Sequence, residues 1–314
     1  MADLAIILLA YRSDYLQQVM HSLFNQSDRS FNLYIFDDGG KPEIRQIVTA
    51  WSDRIPFTYH RFEENMGQYD LAGHWTRCIR TTQGEPWIWL FSDDDLMHPS
   101  CVEVFQRYAL ENGLDERNVY RFPMEMIDSD NNIMASSGEW PVQLRHGEYL
   151  RQRLEFRLLS SVNEFIFSRT AFDREGFQSW PLAWCSDDAA WISFTGGGCI
   201  HTLPGGRVGW RSSSINISSD TSKINGKRRL VASLNYLSWL NDRALVDPEL
   251  RVPQKLKLSW LTVHWMMLRR KNRLAPPAYG FRLLREKLDL YALTFVVSQA
   301  AGLSIRRAIS RNAG

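Results

Sequence analysis

A chain of 314 residues, 44% hydrophobic and 23% charged, is long enough to bury a sizeable core and suggests about two domains; these fractions belong to a folded soluble protein and exclude a disordered or fibrous one. The net charge of +2 conceals an asymmetry: residues 1–222 carry 19 of the 37 Lys/Arg and 30 of the 35 Asp/Glu, whereas residues 223–314 carry 18 and 5. That split predicts two parts with different partners, an acidic unit over 1–222 and a basic one over 223–314. Twelve Trp is a high count, and Trp-rich surfaces serve apolar sugar faces or membrane interfaces. The start, Met1-Ala2-Asp3-Leu4, lacks the basic region of a signal peptide, and Cys78, Cys101, Cys185 and Cys199 show no C-x-x-C or zinc spacing. A cytoplasmic protein with four reduced thiols is the expectation.

In chain order, Leu4 to Ala10 is an apolar strand, and Tyr15 to Phe24 places Leu16, Val19, Met20 and Leu23 at helical spacing. Strands follow at Phe31 to Phe36, Phe57 to Phe62 and Trp87 to Phe91, separated by helices at Ile44 to Trp51 and Leu71 to Thr82. This alternation predicts an α/β fold with a doubly wound, mostly parallel sheet. A helix at Cys101 to Leu110, a strand at Val119 to Phe122, a hairpin turn within Ile127 to Ile133 and a strand in Ser161 to Phe167 come next. Thr195 to Ser219 is rich in Gly and Ser and reads as an active-site loop or a linker. From Lys223 the pattern is helical, with breaks at Asp247-Pro248 and Ala275-Pro276-Pro277.

The most informative segment is the strand Trp87 to Phe91 running into Ser92-Asp93-Asp94-Asp95, with Pro99 at the exit. Adjacent carboxylates repel unless a cation sits among them. Hard oxygen ligands suit Mg²⁺ or Mn²⁺, and strand carboxyl ends are where open α/β sheets bind ligands. A divalent ion holding a nucleotide diphosphate is the chemistry this predicts.

Several motifs then align in order. Ile6 to Arg12, with Ala10, Tyr11 and Arg12 at its end, resembles the opening strand and loop of the family 2 inverting glycosyltransferases of GT-A fold. Ser22 to Gln26 resembles their Ser-x-x-x-Gln segment, Asp37-Asp38-Gly39-Gly40 their Asp-Asp-Gly-Ser, and Asn65-Met66-Gly67 their Asn-x-Gly. Leu90 to Pro99 resembles the metal-binding Asp-x-Asp region, and Asp187-Asp188 stands where the family has Glu-Asp. The likeness covers about the first two thirds of the chain. Departures are Leu9 for the usual Pro, Arg12 for the usual Asn, and Ser92 for the first Asp counted back from Pro99. Asp93, Asp94 and Asp95 all remain candidate ligands, with Asp94 and Asp95 favoured.

The resemblance implies a GT-A catalytic domain over 1–222 that moves a sugar from a nucleotide-diphosphate donor, UDP first, to a hydroxyl of a glycan or lipid-linked glycan, with Mn²⁺ or Mg²⁺. Donor contacts are then expected from Ala10, Tyr11, Arg12, Asp37, Asp38, Asn65, Gly67, Asp93, Asp94 and Arg211, the last in a loop closing over the diphosphate. Asp188 is implied as general base and Asp187 as the positioning acid. The basic region, with Lys255 to Lys271 and Leu290 to Ile305 as apolar segments, reads as an interfacial helix pair at the inner face of the membrane, or as a contact to the acidic domain or a second copy. A nucleic-acid partner is not expected, since it leaves the acidic motifs unused. The rival enzyme, a nucleotidyltransferase, calls for a Gly-rich, Lys-containing phosphate loop, and Leu9 to Asp14 contains neither residue.

Overall fold

The computed structural model describes residues 3–213 and 216–271, together with 292, 295, 296, 298 and 299. The chain opens with β1 (Leu4–Ala10), α1 (Leu16–Phe24), β2 (Asn32–Asp37), α2 (Pro42–Thr49), β3 (Thr58–Arg61), α3 (Leu71–Thr81) and β4 (Trp87–Ser92). It continues through β5 (Leu96–Met97), α4 (Cys101–Asn112), β6 (Val119–Arg121), β7 (Met124–Ile127), β8 (Ile133–Ser136), β9 (Gln143–Arg145) and α5 (His146–Leu154). Then come β10 (Phe165–Ser168), α6 (Arg169–Glu175), α7 (Ser186–Phe194), β11 (Cys199–Thr202), β12 (Val208–Arg211), α8 (Lys223–Val246) and α9 (Gln254–Lys271).

β1 is apolar throughout because it is covered on both faces, as a central parallel strand must be. Its alternation divides the core: Ala5 and Ile7 face α3, α5 and α7, while Leu4, Ile6 and Leu8 face α1, α2 and α4. The main sheet has eight strands in the order β3-β2-β1-β4-β10-β6-β11-β9, parallel from β3 to β4 and mixed beyond. A second sheet, β5-β12-β7-β8, takes its strands β5 and β7 from the chain just beyond β4 and β6. The chain turns to opposite sides of β1 to form β2 and β4, so the switch point, and the crevice that goes with it, lies at the carboxyl ends of β1 and β4.

The early strands and helices fall within two residues of their sequence expectations. The stretch from Thr195 to Ser219 does not: it contains β11 and β12, which pair with β6 and β7. Four-residue strands beside glycines carry too little alternation to be read locally, and their partners lie 80 or so residues away. The basic region also departs from the interfacial reading over the described residues. Leu230, Leu234, Leu237 and Leu240 of α8 and Leu258, Leu261 and Trp265 of α9 join the same core as α7. Trp260 and Trp265 are only 6% and 5% exposed, and Tyr236 stacks edge-on against both Trp180 and Trp260. Arg243 pairs with Glu175 at 2.6 Å, and His146 meets Asp247 at 2.8 Å. Among the described residues no helix is long and apolar enough to cross a membrane; the segment Leu290 to Ile305 and the Ala275-Pro276-Pro277 break lie largely or wholly outside them.

Because α8 and α9 complete the core, truncation after Asp220 is expected to yield aggregated protein, eluting in the void volume on size exclusion. A monodisperse, cooperatively unfolding fragment would show that residues 1–220 close their core alone.

Candidate active site

The register that sets Leu9 beside Ser92 brings the β1 exit loop against the acidic run. Asp93 Oδ2 accepts the backbone N–H groups of Tyr11 at 2.7 Å and Arg12 at 2.6 Å, so this carboxylate fastens β1 to β4. Asp95 is taken as well: its oxygens accept from Asn163 Nδ2 at 2.6 Å and from the Arg211 backbone N–H at 2.8 Å. Asp94 lies between them, and its carboxylate meets only the Arg12 guanidinium, at 3.4 Å. Burial, and then the Asp93 charge, raise Asp94 to about 6. Asp93 and Asp95 thus hold structure together, and Asp94 is the least engaged of the three carboxylates, all of which border the crevice.

Arg211 does not line the crevice, where the expectation placed it over the donor. It is fully buried and all five of its donors are spent. Nε donates to the Asp94 carbonyl, Nη1 to the carbonyls of Asp128 and Ser129, and Nη2 to Gln18 and Asn131. Its guanidinium also lies 4.2 Å over the Tyr15 ring. It is a strut that ties β12 to the acidic run and to the β7–β8 turn.

The second acidic pair divides in the same way. Asp37, the last residue of β2, is 0% exposed and faces away from the crevice, accepting from the Gly40 N–H, Tyr59 and Arg61. It braces the strand end and does not reach a donor. Asp38 faces the crevice and accepts the N–H groups of Met66 at 3.0 Å and Gly67 at 2.7 Å, with Arg77 and His74 behind it. The Asn-x-Gly segment is thus stapled to the end of β2, and a Cβ on Gly67 would lie 2.7 Å from the Asp38 carboxylate. Gly40 stands where the related motif has Ser because a Cβ there would lie 2.6 Å from the Tyr11 carbonyl.

The third pair opens α7. Leu182, Ala183 and Cys185 precede it with φ of 64°, 48° and 63°, a left-handed conformation costing each residue roughly 1–2 kcal/mol. Such strain persists where the surroundings hold it, and here Trp184 donates its indole N–H to His264 of α9 at 3.1 Å. Asp188 is buried in a bidentate pair with Arg153 of α5, Nε at 2.7 Å and Nη2 at 2.8 Å, and accepts the Tyr149 hydroxyl at 2.5 Å. Asp187 receives no hydrogen bond from another side chain among the described residues. Burial, and then the Asp188 charge, push Asp187 up to about 7.

One cavity of about 880 Å³ joins these pieces. Tyr11, Arg12, Asp38, Asn65, Gly67 and Asp94 line one end; Asp187, Trp184 and a face of α9 carrying Trp260, His264 and Met267 line the other. Ala10 also borders it, whereas Asp37 and Arg211 do not. Sequence reading missed Tyr149 and Arg153 and the contribution of α8 and α9, because a buried Arg and an exposed one look alike in one sequence. Among the described residues no three His, Cys, Asp or Glu side chains converge as a metal cage. One open carboxylate nevertheless fits Mg²⁺ or Mn²⁺, which are commonly held by one or two carboxylates plus substrate phosphates.

An open parallel sheet in the order 3-2-1-4, with an acidic crevice at its switch point, is the GT-A arrangement of nucleotide-sugar transferases. The family model described as glycosyl transferase family 2 matches residues 5–178, and the chain belongs to that family. It is a glycosyltransferase that uses a nucleotide-sugar donor. Solved structures share the fold. S. aureus TarS 1–349 in complex with UDP superposes with a TM-score of 0.57 at 14% identity, covering 98% of this chain and 92% of that one. Its complex with UDP-GlcNAc has a TM-score of 0.57 at 14% identity and covers 95% and 79%. GalNAc-T7 with UDP, GalNAc and Mn²⁺ has a TM-score of 0.52 at 11% identity, covering 91% of this chain and 58% of that one. No curated protein sequence matches.

Arg211→Lys should destabilise the fold by about 2–4 kcal/mol, because several buried acceptors lose their donor. Urea unfolding measures this. A variant of unchanged stability with weakened UDP binding would return Arg211 to the donor site.

Proposed function

We propose that this chain transfers a sugar with inversion from a nucleoside diphosphate donor, UDP first, to a hydroxyl acceptor, with Asp187 as general base and Asp188 positioning it. The observation that carries this reading is the state of Asp187: a carboxylate unclaimed by other side chains, held near 7, in the same cavity as Asp94 and the nucleotide-side loops. A base works best when its pKa lies near the operating pH, whereas the Asp188 oxygens are already engaged by Arg153 and Tyr149. The base assignment thus moves from Asp188, the residue the family likeness suggests, to its neighbour. Direct attack by the activated hydroxyl, with no covalent intermediate on the enzyme, gives inversion.

On the donor side, Asp38, Asn65 and Gly67 present the base and ribose contacts, and the exposed Tyr11 ring offers a stacking face for the nucleobase. Asp94 is the residue that would hold Mn²⁺ or Mg²⁺, which when bound neutralises charge developing on the leaving diphosphate. The aromatic wall of Trp184 and Trp260 suits the apolar face of a sugar acceptor. A glycan or lipid-linked glycan at the cytoplasmic face fits the excess of Lys/Arg after residue 222, which would draw the protein to anionic lipid or to a second copy.

UDP release from UDP-sugars by the wild-type protein should require Mn²⁺ or Mg²⁺ and stop in excess EDTA, and Asp94→Asn should lose most of it with unfolding unchanged. Undiminished turnover in chelator sinks the metal assignment.

The wild-type rate should rise with pH to a plateau above about 7, since the protonated base is inactive. Asp187→Asn should cost about two to four orders of magnitude and erase that limb. If the limb survives in Asp187→Asn and vanishes in Asp188→Asn, the base is Asp188.

A further inference from the structure

The family likeness has Asn where this chain has Arg12, and the fold gives that difference a definite location. The Arg12 backbone is anchored by its own N–H on Asp93 Oδ2, so its side chain starts from a fixed point above the end of β4. From there Nη2 lies 3.4 Å from Asp93 Oδ1 and 3.4 Å from Asp94 Oδ2, with the side chain 28% exposed on the cavity wall. Asp93 Oδ2 and both oxygens of Asp95 are committed to backbone and Asn163 donors, which leaves Asp94 the least engaged of the three carboxylates among the described residues. A divalent ion on that oxygen would sit about 2.1 Å from it, in the space the guanidinium covers and against its positive charge.

We propose that Arg12 is a resident counter-cation that keeps a divalent ion off Asp94 until a nucleoside diphosphate arrives. The diphosphate competes for the guanidinium, which pairs with phosphate oxygens in a planar fork as readily as with carboxylate. Drawn onto the phosphate, Arg12 uncovers Asp94, and the cation then finds the carboxylate and the phosphate oxygens together. Metal and nucleotide binding are therefore coupled through one side chain, and linkage requires the coupling to appear in both affinities. This inference rests on the nucleotide-sugar reading above and adds an order of binding to it.

The experiment uses the full-length protein with Mn²⁺ and UDP as probes. Mn²⁺ binding is read from the EPR signal of the free ion, and UDP binding in EDTA from calorimetry. The wild type should bind UDP without metal and bind Mn²⁺ weakly without UDP. Arg12→Gln should bind Mn²⁺ alone at least about tenfold more tightly and UDP in EDTA about tenfold more weakly, since a guanidinium–phosphate pair is lost. These opposite signs separate the proposal from a loosened fold, which weakens both. Arg12→Lys, which keeps the charge, should retain the weak Mn²⁺ affinity, and it carries the test if Arg12→Gln does not fold: strong Mn²⁺ binding by Arg12→Lys without UDP overturns the proposal. Adding Asp94→Asn to Arg12→Gln should abolish the gained Mn²⁺ affinity. Unchanged Mn²⁺ affinity in Arg12→Gln, with UDP still bound, overturns the Arg12 role alone. A wild type that binds no UDP under either condition overturns both this role and the nucleotide-sugar reading.

Discussion

The acceptance of two backbone N–H groups by the Asp93 carboxylate is the contact on which the site depends. Parallel neighbours β1 and β4 diverge into different loops beyond their last ladder bonds, and nothing in the ladder itself holds those loops together. One buried carboxylate bridges them at 2.6–2.7 Å. Charge-assisted bonds of this kind are stronger than neutral ones and, in a buried setting, costly to leave unmade. With the loop so fixed, the Arg12 side chain, the Tyr11 ring and the open oxygen of Asp94 acquire their relative positions.

The same division of labour recurs in each acidic pair. Asp37 is sealed beneath β2 by Tyr59, Arg61 and the Gly40 N–H, while Asp38 faces the crevice and carries the Asn-x-Gly loop. Asp188 is locked by Arg153 and Tyr149, while Asp187, on the wall of the same cavity, receives no hydrogen bond from another side chain among the described residues. Neighbouring carboxylates on a strand end or a first helical turn point in different directions, so one meets more packed donors than the other. Like charges so close raise each other's proton affinity unless cations intervene. The sealed member of two of these pairs has its own Arg, Asp37 with Arg61 and Asp188 with Arg153.

The helices after residue 222 belong to this site physically. Their leucines extend the core on the face of the sheet that carries α7, and His264 receives the Trp184 indole N–H from the strained segment just before Asp187. Three left-handed residues within four, Leu182, Ala183 and Cys185, would relax without such support. The family match ends at residue 178, before α7, so the end of the cavity lined by Asp187, Trp184 and α9 lies largely beyond the matched segment.

Much of this was legible in the sequence. The apolar runs of β1 and β4, the helical periods of α1 and α3 and the order of the acidic motifs define the α/β class and place the crevice, because burial and local periodicity are written residue by residue. The glycines at 40 and 67 were visible as motif positions, although only the packed structure shows the atoms that exclude a side chain there. What tertiary structure alone decided was the state of each charged group. Arg211 looked like a loop cation and is a saturated strut; Asp188 looked like an open carboxylate and is paired with Arg153. The strands β11 and β12 looked like loop because their partners are distant, and the tail tryptophans looked interfacial because sequence cannot show what covers them. Residue type records that a carboxylate or guanidinium is present. Whether its hydrogen-bonding capacity is already consumed depends on atoms brought together from remote parts of the chain, and only the folded structure specifies those.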